Sequence, residues 1–124
     1  MSRNKEGLQI ALDKIKEVRK EFWTNVYVPG EEYDFNTELA KALRLADFIE
    51  IGELIARDAL MREESCGGHF REEYQTPDGE AKRNDEEFSF VSCWKYNGEG
   101  EEPTLLKEPL IYEFVQRQQR NYKE

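Results

Sequence analysis

Cys66, His69 and Cys93 are the only soft metal ligands and the only thiol or imidazole groups in the 124-residue chain. A structural zinc site calls for four Cys or His ligands in paired spacings. Cys66-x-x-His69 supplies half of one, and Cys93 stands alone. A Cys66/His69 nucleophile pair needs a base or a helix N-terminus to lower the thiol pKa. Cys66 follows a predicted helix C-terminus, whose dipole opposes a thiolate. Two free thiols, with Cys93 in the core of a sheet, are the expectation. A lone histidine after a glycine pair reads as a hydrogen-bonded structural residue. Gly67-Gly68 fits neither phosphate-loop spacing and no strand precedes it, so the chain is expected to bind no nucleotide or cofactor itself.

The densest chemistry is the run Arg62-Glu63-Glu64-Ser65-Cys66-Gly67-Gly68-His69-Phe70-Arg71-Glu72-Glu73-Tyr74. Charges of both signs alternate around glycines that allow close backbone approach. One reading is helix capping with exposed ion pairs, each contributing about 0–1 kcal/mol. The other is a buried docking junction in which Arg62 and Arg71 meet carboxylates across an interface. Local chemistry leaves the two evenly balanced.

Elements that position this run follow from periodicity. Leu8, Leu12, Ile15, Val18 and Phe22 recur at helical steps and predict a helix over about 5–25. Pro29-Gly30 opens a loop. Asn36 or Thr37 caps a second predicted helix over about 37–64. Its apolar face is wide: Leu39, Ala42, Leu43, Ala46, Ile49 and Leu60 make one stripe. Leu45, Phe48, Ile51, Gly52, Ile55 and Ala59 make a second. A helix this apolar packs on more than one side. A motif loop over 65–87 follows, with Pro77-Asp78-Gly79 as a turn in a segment expected to be mobile. The β region is predicted over 88–115. Phe88, Phe90, Trp94 and Tyr96 alternate onto one face, with Val91 and Cys93 on the other. Asn97-Gly98-Glu99-Gly100 turns the chain. Thr104–Lys107 and Leu110–Phe114 read as further strand interrupted by Pro109, before a polar tail over 116–124. The expected fold is a single α+β domain, mainly α: a long antiparallel helix pair, then a small antiparallel sheet.

Composition excludes several classes. Net charge is −9 and the pI is near 4.8, which repels a phosphate backbone and argues against nucleic-acid binding. Aromatics at 12% argue against disorder. Mean hydropathy is −0.89, and no apolar stretch approaches the ~20 residues of a membrane span, so no direct membrane insertion is expected. The first twenty residues lack the apolar core of a signal peptide.

The run Arg62-x-Glu64-Ser65-x-Gly67-x-His69-x-Arg71-x-Glu73-Tyr74 resembles the R-x-E-S-R-G-x-H-x-R-x-D/E-Y/F pattern of the succinate dehydrogenase/fumarate reductase flavoprotein subunit family, to which L-aspartate oxidase is related. The similarity extends to Ser2–Leu8, which resembles the family's entry into a helix of its C-terminal domain. It also takes in Leu39–Leu60, Trp94 and Leu110–Phe114. Cys66 stands where the family commonly has arginine, which leaves any role of that arginine unassigned here.

The resemblance implies the C-terminal domain of a subunit that interconverts succinate and fumarate with FAD and passes electrons to an iron–sulfur subunit. Its implied place is the cytoplasmic side of the inner membrane, within a membrane-anchored complex. No catalytic, cofactor-binding or metal residue carries over, and no activity is expected of this piece alone. What carries over is a candidate junction with the flavin and capping domains and the iron–sulfur subunit: Arg62, Glu64, Ser65, His69, Arg71 and Glu73. The family's domain is implied to be a three-helix, spectrin-repeat-like bundle with a β extension. This chain matches from after the first helix, so part of the second predicted helix is expected to lie uncovered and to drive self-association. Two rivals remain: a stand-alone acidic protein-interaction module, and a metal or redox module built on Cys66, His69 and Cys93.

Overall fold

The computed structural model describes residues 2–30 and 35–118. The acidic stretch of the expected loop (31–34) and the tail from 119 lie outside the described residues. The chain is α+β, mainly helical, with a two-stranded antiparallel sheet. It divides into two compact units, Glu6–Leu60, and Met1–Lys5 with Met61–Glu124.

The first unit is a helix pair. Helix α1 spans Lys5–Asn25 and α2 spans Thr37–Met61. Asn36 caps α2, its Oδ1 accepting from Glu38 N at 3.0 Å and Leu39 N at 3.1 Å. The helices run antiparallel, since Leu8 and Leu12 pack with Ala56 and Ala59, flanked by Ile15 and Leu60, while Arg19 reaches Glu50. Small alanines on α2 let the backbones approach. Arg19 grips Glu50 at 2.6 and 2.9 Å and also bonds Glu53, which accepts from Arg57 at 2.8 Å.

Val18 is half exposed, although its spacing groups it with the packing face of α1. At ~100° per residue it falls about 80° from Leu8 and about 120° from Leu12, beyond the stripe that α2 covers. On α2, Ile49 and Ala59 are buried, while Leu39, Leu43, Leu45, Phe48, Ile51 and Ile55 are 47–65% exposed. The second predicted stripe is therefore open at Leu45, Phe48, Ile51 and Ile55.

Helix α2 stops at Met61, three residues before the expected end. Ser65 N donates to Lys82 O at 2.9 Å in place of a helical carbonyl, and the side chains of Arg62 and Glu64 bond outside the helix.

In the second unit a short helix α3, Asp85–Phe88, precedes strand β1, Phe90–Lys95. Strand β2 is Thr104–Pro109, paired from Phe90↔Pro109 to Lys95↔Thr104. Asn97 Nδ2 holds the connection by donating to Glu102 O at 2.7 Å and Thr104 Oγ1 at 2.8 Å.

Two expectations are corrected in this unit. Cys93 is exposed, not in a sheet core: buried Phe90 sets the inward phase, so Ser92 and Trp94 follow it and Val91 and Cys93 face out. Leu110–Phe114 is not strand. Pro109 already pairs with the first residue of β1, so no strand lies opposite the residues beyond it; Leu110 N makes one further bond, to Ser89 O at 3.0 Å. Arg83 Nη1 then bonds Gln118 O at 3.0 Å and Arg117 Nη1 bonds Ser89 Oγ at 2.7 Å, clasping the following segment. The expected turn at Pro77-Asp78-Gly79 is present and hydrogen-bonded. Gly79 N donates to Thr76 O, Thr76 N to Glu80 O and Lys82 N to Tyr74 O at 2.8–3.2 Å.

Candidate functional site: a buried polar junction

The most buried side chains of the second unit are polar. Glu64 is 3% exposed, Ser65 0% and Arg71 1%. Burial of such groups is tolerable only when each is bonded.

Arg62 reaches from the end of α2 to the sheet. Its Nη1 donates to Phe88 O at 2.9 Å and to Glu64 Oε1 at 3.1 Å. Nη2 donates to Phe90 O at 3.1 Å and Ser92 Oγ at 3.3 Å. The guanidinium lies over the rings of Phe90 and Phe88, at 4.9 and 5.8 Å from their centroids. Planar guanidinium serves this multiple contact where a lysine could not. Glu64 Oε2 accepts from Asn84 N at 3.0 Å, which fixes the start of α3. Asn84 in turn caps α3, its Oδ1 accepting from Glu87 N at 3.3 Å and its Nδ2 donating to Glu87 Oε2 at 3.1 Å.

Ser65 joins both strands of the motif loop. Its Oγ accepts from Arg71 N at 2.8 Å and donates to Arg71 O at 3.2 Å. Between them Cys66 and His69 exchange backbone bonds of 2.8 and 3.0 Å across Gly67-Gly68. Gly67 has φ +57, a conformation glycine adopts without a Cβ penalty. With the Cys66 and His69 amides bonded within this tight turn, the glycine pair forms no phosphate cradle.

Arg71 Nε donates to Glu73 Oε2 at 3.1 Å, and its guanidinium lies 5.4 Å from the Tyr74 ring centroid. Burial, then the Glu63 carboxylate, raises the Tyr74 pKa. Glu73 Oε1 accepts from Lys5 N at 2.5 Å; that bond chiefly holds its carboxyl below the ordinary value. His69 bonds Arg62 O through Nε2 and Arg3 through Nδ1, both at 3.0 Å. With both ring nitrogens engaged, no lone pair is left for a metal ion. Among the described residues no cluster of three or more His, Cys, Asp or Glu is placed to hold one. No described helix is long and apolar enough to cross a membrane.

All six candidate residues thus come together in one unit, bonded to this chain. Sequence reasoning missed three contributors. Arg3 pairs its backbone with Phe70 and Glu72, and Asn4 Nδ2 donates to Glu72 Oε2 at 3.0 Å. Asn84 closes the buried Glu64. Only Asn84 carried a local signal, the Asn84-x-x-Glu87 capping spacing; Arg3 and Asn4 act across 66 and 68 residues.

A family model described as fumarate reductase flavoprotein C-term matches residues 1–122. The chain is 34% identical over 82 residues to a subunit of the CoM/CoB fumarate reductase of Methanothermobacter marburgensis, covering 66% of this chain and 15% of that protein. It is 31% identical over 98 residues to a fumarate reductase flavoprotein subunit of Serratia, covering 79% of this chain and 16% of that one. Among solved structures, E. coli quinol fumarate reductase superposes with a TM-score of 0.76 at 24% identity, over 94% of this chain and 19% of that one. That likeness shows the fold. The chain spans about a sixth of the length of these relatives. With residues 1–122 matched and the polar junction inside the match, the chain belongs to the fumarate reductase flavoprotein C-terminal family.

Proposed function

We propose that this chain is the structural and docking domain, a single domain over 1–124, of a succinate dehydrogenase or fumarate reductase flavoprotein subunit. The observation that carries the reading is the family match over residues 1–122 combined with its sixth-length share of the relatives. In the parent subunit, FAD, the substrate site and electron transfer to an iron–sulfur subunit belong to other regions, and this chain alone has no activity. The parent works on the cytoplasmic side of the inner membrane within an anchored complex.

The junction of Arg62, Glu64, Ser65, His69, Arg71 and Glu73 supports the reading. Its buried bonds rigidify one unit, as a docking platform requires, and its rim at Glu73 and His69 meets the flavin and capping domains. The exposed stripe Leu45, Phe48, Ile51 and Ile55 supports a three-helix bundle in which a further helix of the parent covers α2. In the isolated chain that stripe promotes self-association.

Oxidative footprinting tests this reading. Phe48 is 65% exposed in the chain and is expected to be labelled readily in the isolated protein, diluted until it is monomeric, and protected in the intact subunit. Equal labelling in both sinks the docking assignment. The rival, a free-standing acidic interaction module, is favoured by the net charge of −9. It is supported instead if the reading frame begins at Met1 with no FAD-binding region upstream.

A further inference from the structure

His69 is the only histidine of the chain, and its two ring nitrogens face opposite demands. A carbonyl can only accept, so the 3.0 Å contact with Arg62 O places a proton on Nε2. A guanidinium can only donate, so Arg3 Nη1 at 3.0 Å from Nδ1 requires a lone pair there. The ring is therefore neutral, in the Nε2–H tautomer. A second proton would occupy Nδ1 and point at the Arg3 cation.

Arg3 belongs to the segment that leads into α1. Its backbone lies along the motif loop, with Arg3 N donating to Phe70 O at 3.0 Å and Glu72 N to Arg3 O at 2.8 Å. Asn4 and Lys5 add the bonds to Glu72 and Glu73. The charged groups acting on the ring are Arg3 from this segment, Arg71 from the motif loop and Arg62 from the end of α2, and all three disfavour imidazolium. Glu72 and Glu73 are engaged by Asn4 and Lys5, and Glu64 by Arg62 and Asn84.

We propose that His69 and Arg3 form an acid-sensitive latch: the neutral ring holds the Arg3 side chain on the motif loop, and a proton taken up at Nδ1 releases it and loosens the segment entering α1. One proton comes from solvent and one hydrogen bond breaks; the backbone bonds of Arg3 remain as a weaker tether. Burial, followed by the three arginines, sets the ring's pKa below 6.5, against the opposing pull of the Arg62 carbonyl. The latch is thus closed above the ordinary histidine range and opens as pH falls through the lowered value. It lies within the chain and holds whether or not the flavoenzyme reading does.

With one histidine, the ring resonances of the whole protein need no assignment. Long-range ring NMR is expected to show the Nε2–H tautomer at about pH 7.5 and a titration midpoint under 6.5. Exchange of the Arg3, Lys5 and Glu72 amides, corrected for its intrinsic pH dependence, is expected to rise about threefold or more across that midpoint. His69→Asn keeps an acceptor near the Nδ1 position but cannot titrate, so its exchange is expected to lose the acid response. Arg3→Met is expected to move the His69 midpoint upward. An Nδ1–H tautomer, a midpoint at or above 6.5, or amide exchange indifferent to the midpoint overturns the latch. If His69→Asn does not fold, the Arg3→Met titration decides: an unmoved midpoint rejects the proposal.

Discussion

Replacing Arg62 with methionine keeps most of the aliphatic stem and removes the guanidinium. Four hydrogen bonds go with it, to Glu64, Phe88 O, Phe90 O and Ser92 Oγ. The heaviest consequence falls on Glu64. Its side chain is 4% exposed, against 17% for Arg62, and it keeps the bond from Asn84 N. Breaking a buried ion pair from one side costs about 3–5 kcal/mol, because the remaining charge is left uncompensated. Arg62 is less deeply buried than its partner, so water reaches the vacated site, and the lower end, about 3 kcal/mol, is expected. For a chain of this size that lowers the melting temperature by roughly 10 °C. Glu64→Gln in the same background removes the stranded charge, while the amide oxygen it introduces still accepts from Asn84 N. The double variant is therefore expected to recover at least about 1 kcal/mol relative to additivity. Thermal and denaturant unfolding followed by tryptophan fluorescence in a Trp23→Phe background, which leaves Trp94 as the reporter, reads both quantities. A loss below about 1 kcal/mol for Arg62→Met, or strict additivity of the pair, would falsify the claim that this ion pair is a buried, coupled unit.

Other outcomes follow from single features. Gly67→Ala is expected to destabilise by about 1 kcal/mol through its positive φ alone, since no atom lies within 4 Å of the added Cβ, while Gly68→Ala at ordinary φ stays near neutral; urea midpoints distinguish them. Burial pushes the Glu53 pKa up, but its bonds from Arg19 and Arg57 outweigh this and leave it below 4.5. A lowered carboxylate pKa stabilises above the unfolded value and loses that contribution as pH falls through the folded one, so the melting temperature is expected to drop more steeply below about pH 4.5 in the native chain than in Glu53→Gln. Cys66 and Cys93 are both exposed, so two thiols are expected to react with Ellman's reagent without denaturant; a slow thiol that persists in Cys66→Ser contradicts the outward phase of β1.

The α+β class was legible because two periods are written plainly in the chain. Leu8, Leu12 and Ile15 mark one helix, Leu39, Leu43, Ile49 and Leu60 the second, and Phe88, Phe90, Trp94 and Tyr96 the alternation of a strand. The six junction residues were legible as a cluster, since all fall within the single run from Arg62 to Glu73. Their wiring was not. Arg62 finds Phe88 and Phe90 across 26 and 28 residues, and Arg3 finds His69 across 66. Bonds of that span leave no periodic trace. The boundary at Leu110 was misread for a related reason: apolar residues that alternate suggest a strand, yet a strand needs a neighbour, and the β1 ladder ends at Phe90. Phase was the third limit. Alternation places Cys93 opposite Trp94, but only the burial of Phe90 says which of the two faces is inside.

The first turn of α1 is tied down from far along the chain. Lys5 N is bonded by the carboxylate of Glu73, 68 residues away, and Asn4 by that of Glu72. A local cap is present as soon as a helix leaves the ribosome, but this one is not. During synthesis at ~5–20 residues per second the beginning of α1 waits several seconds for its partner to emerge. Until then its leading amides stay solvated and that end frays. Closing so long a loop is also entropically slow relative to helix growth. The two acidic residues therefore act on the order of folding events as well as on the finished structure, with the start of the helix settling only after the motif loop has formed.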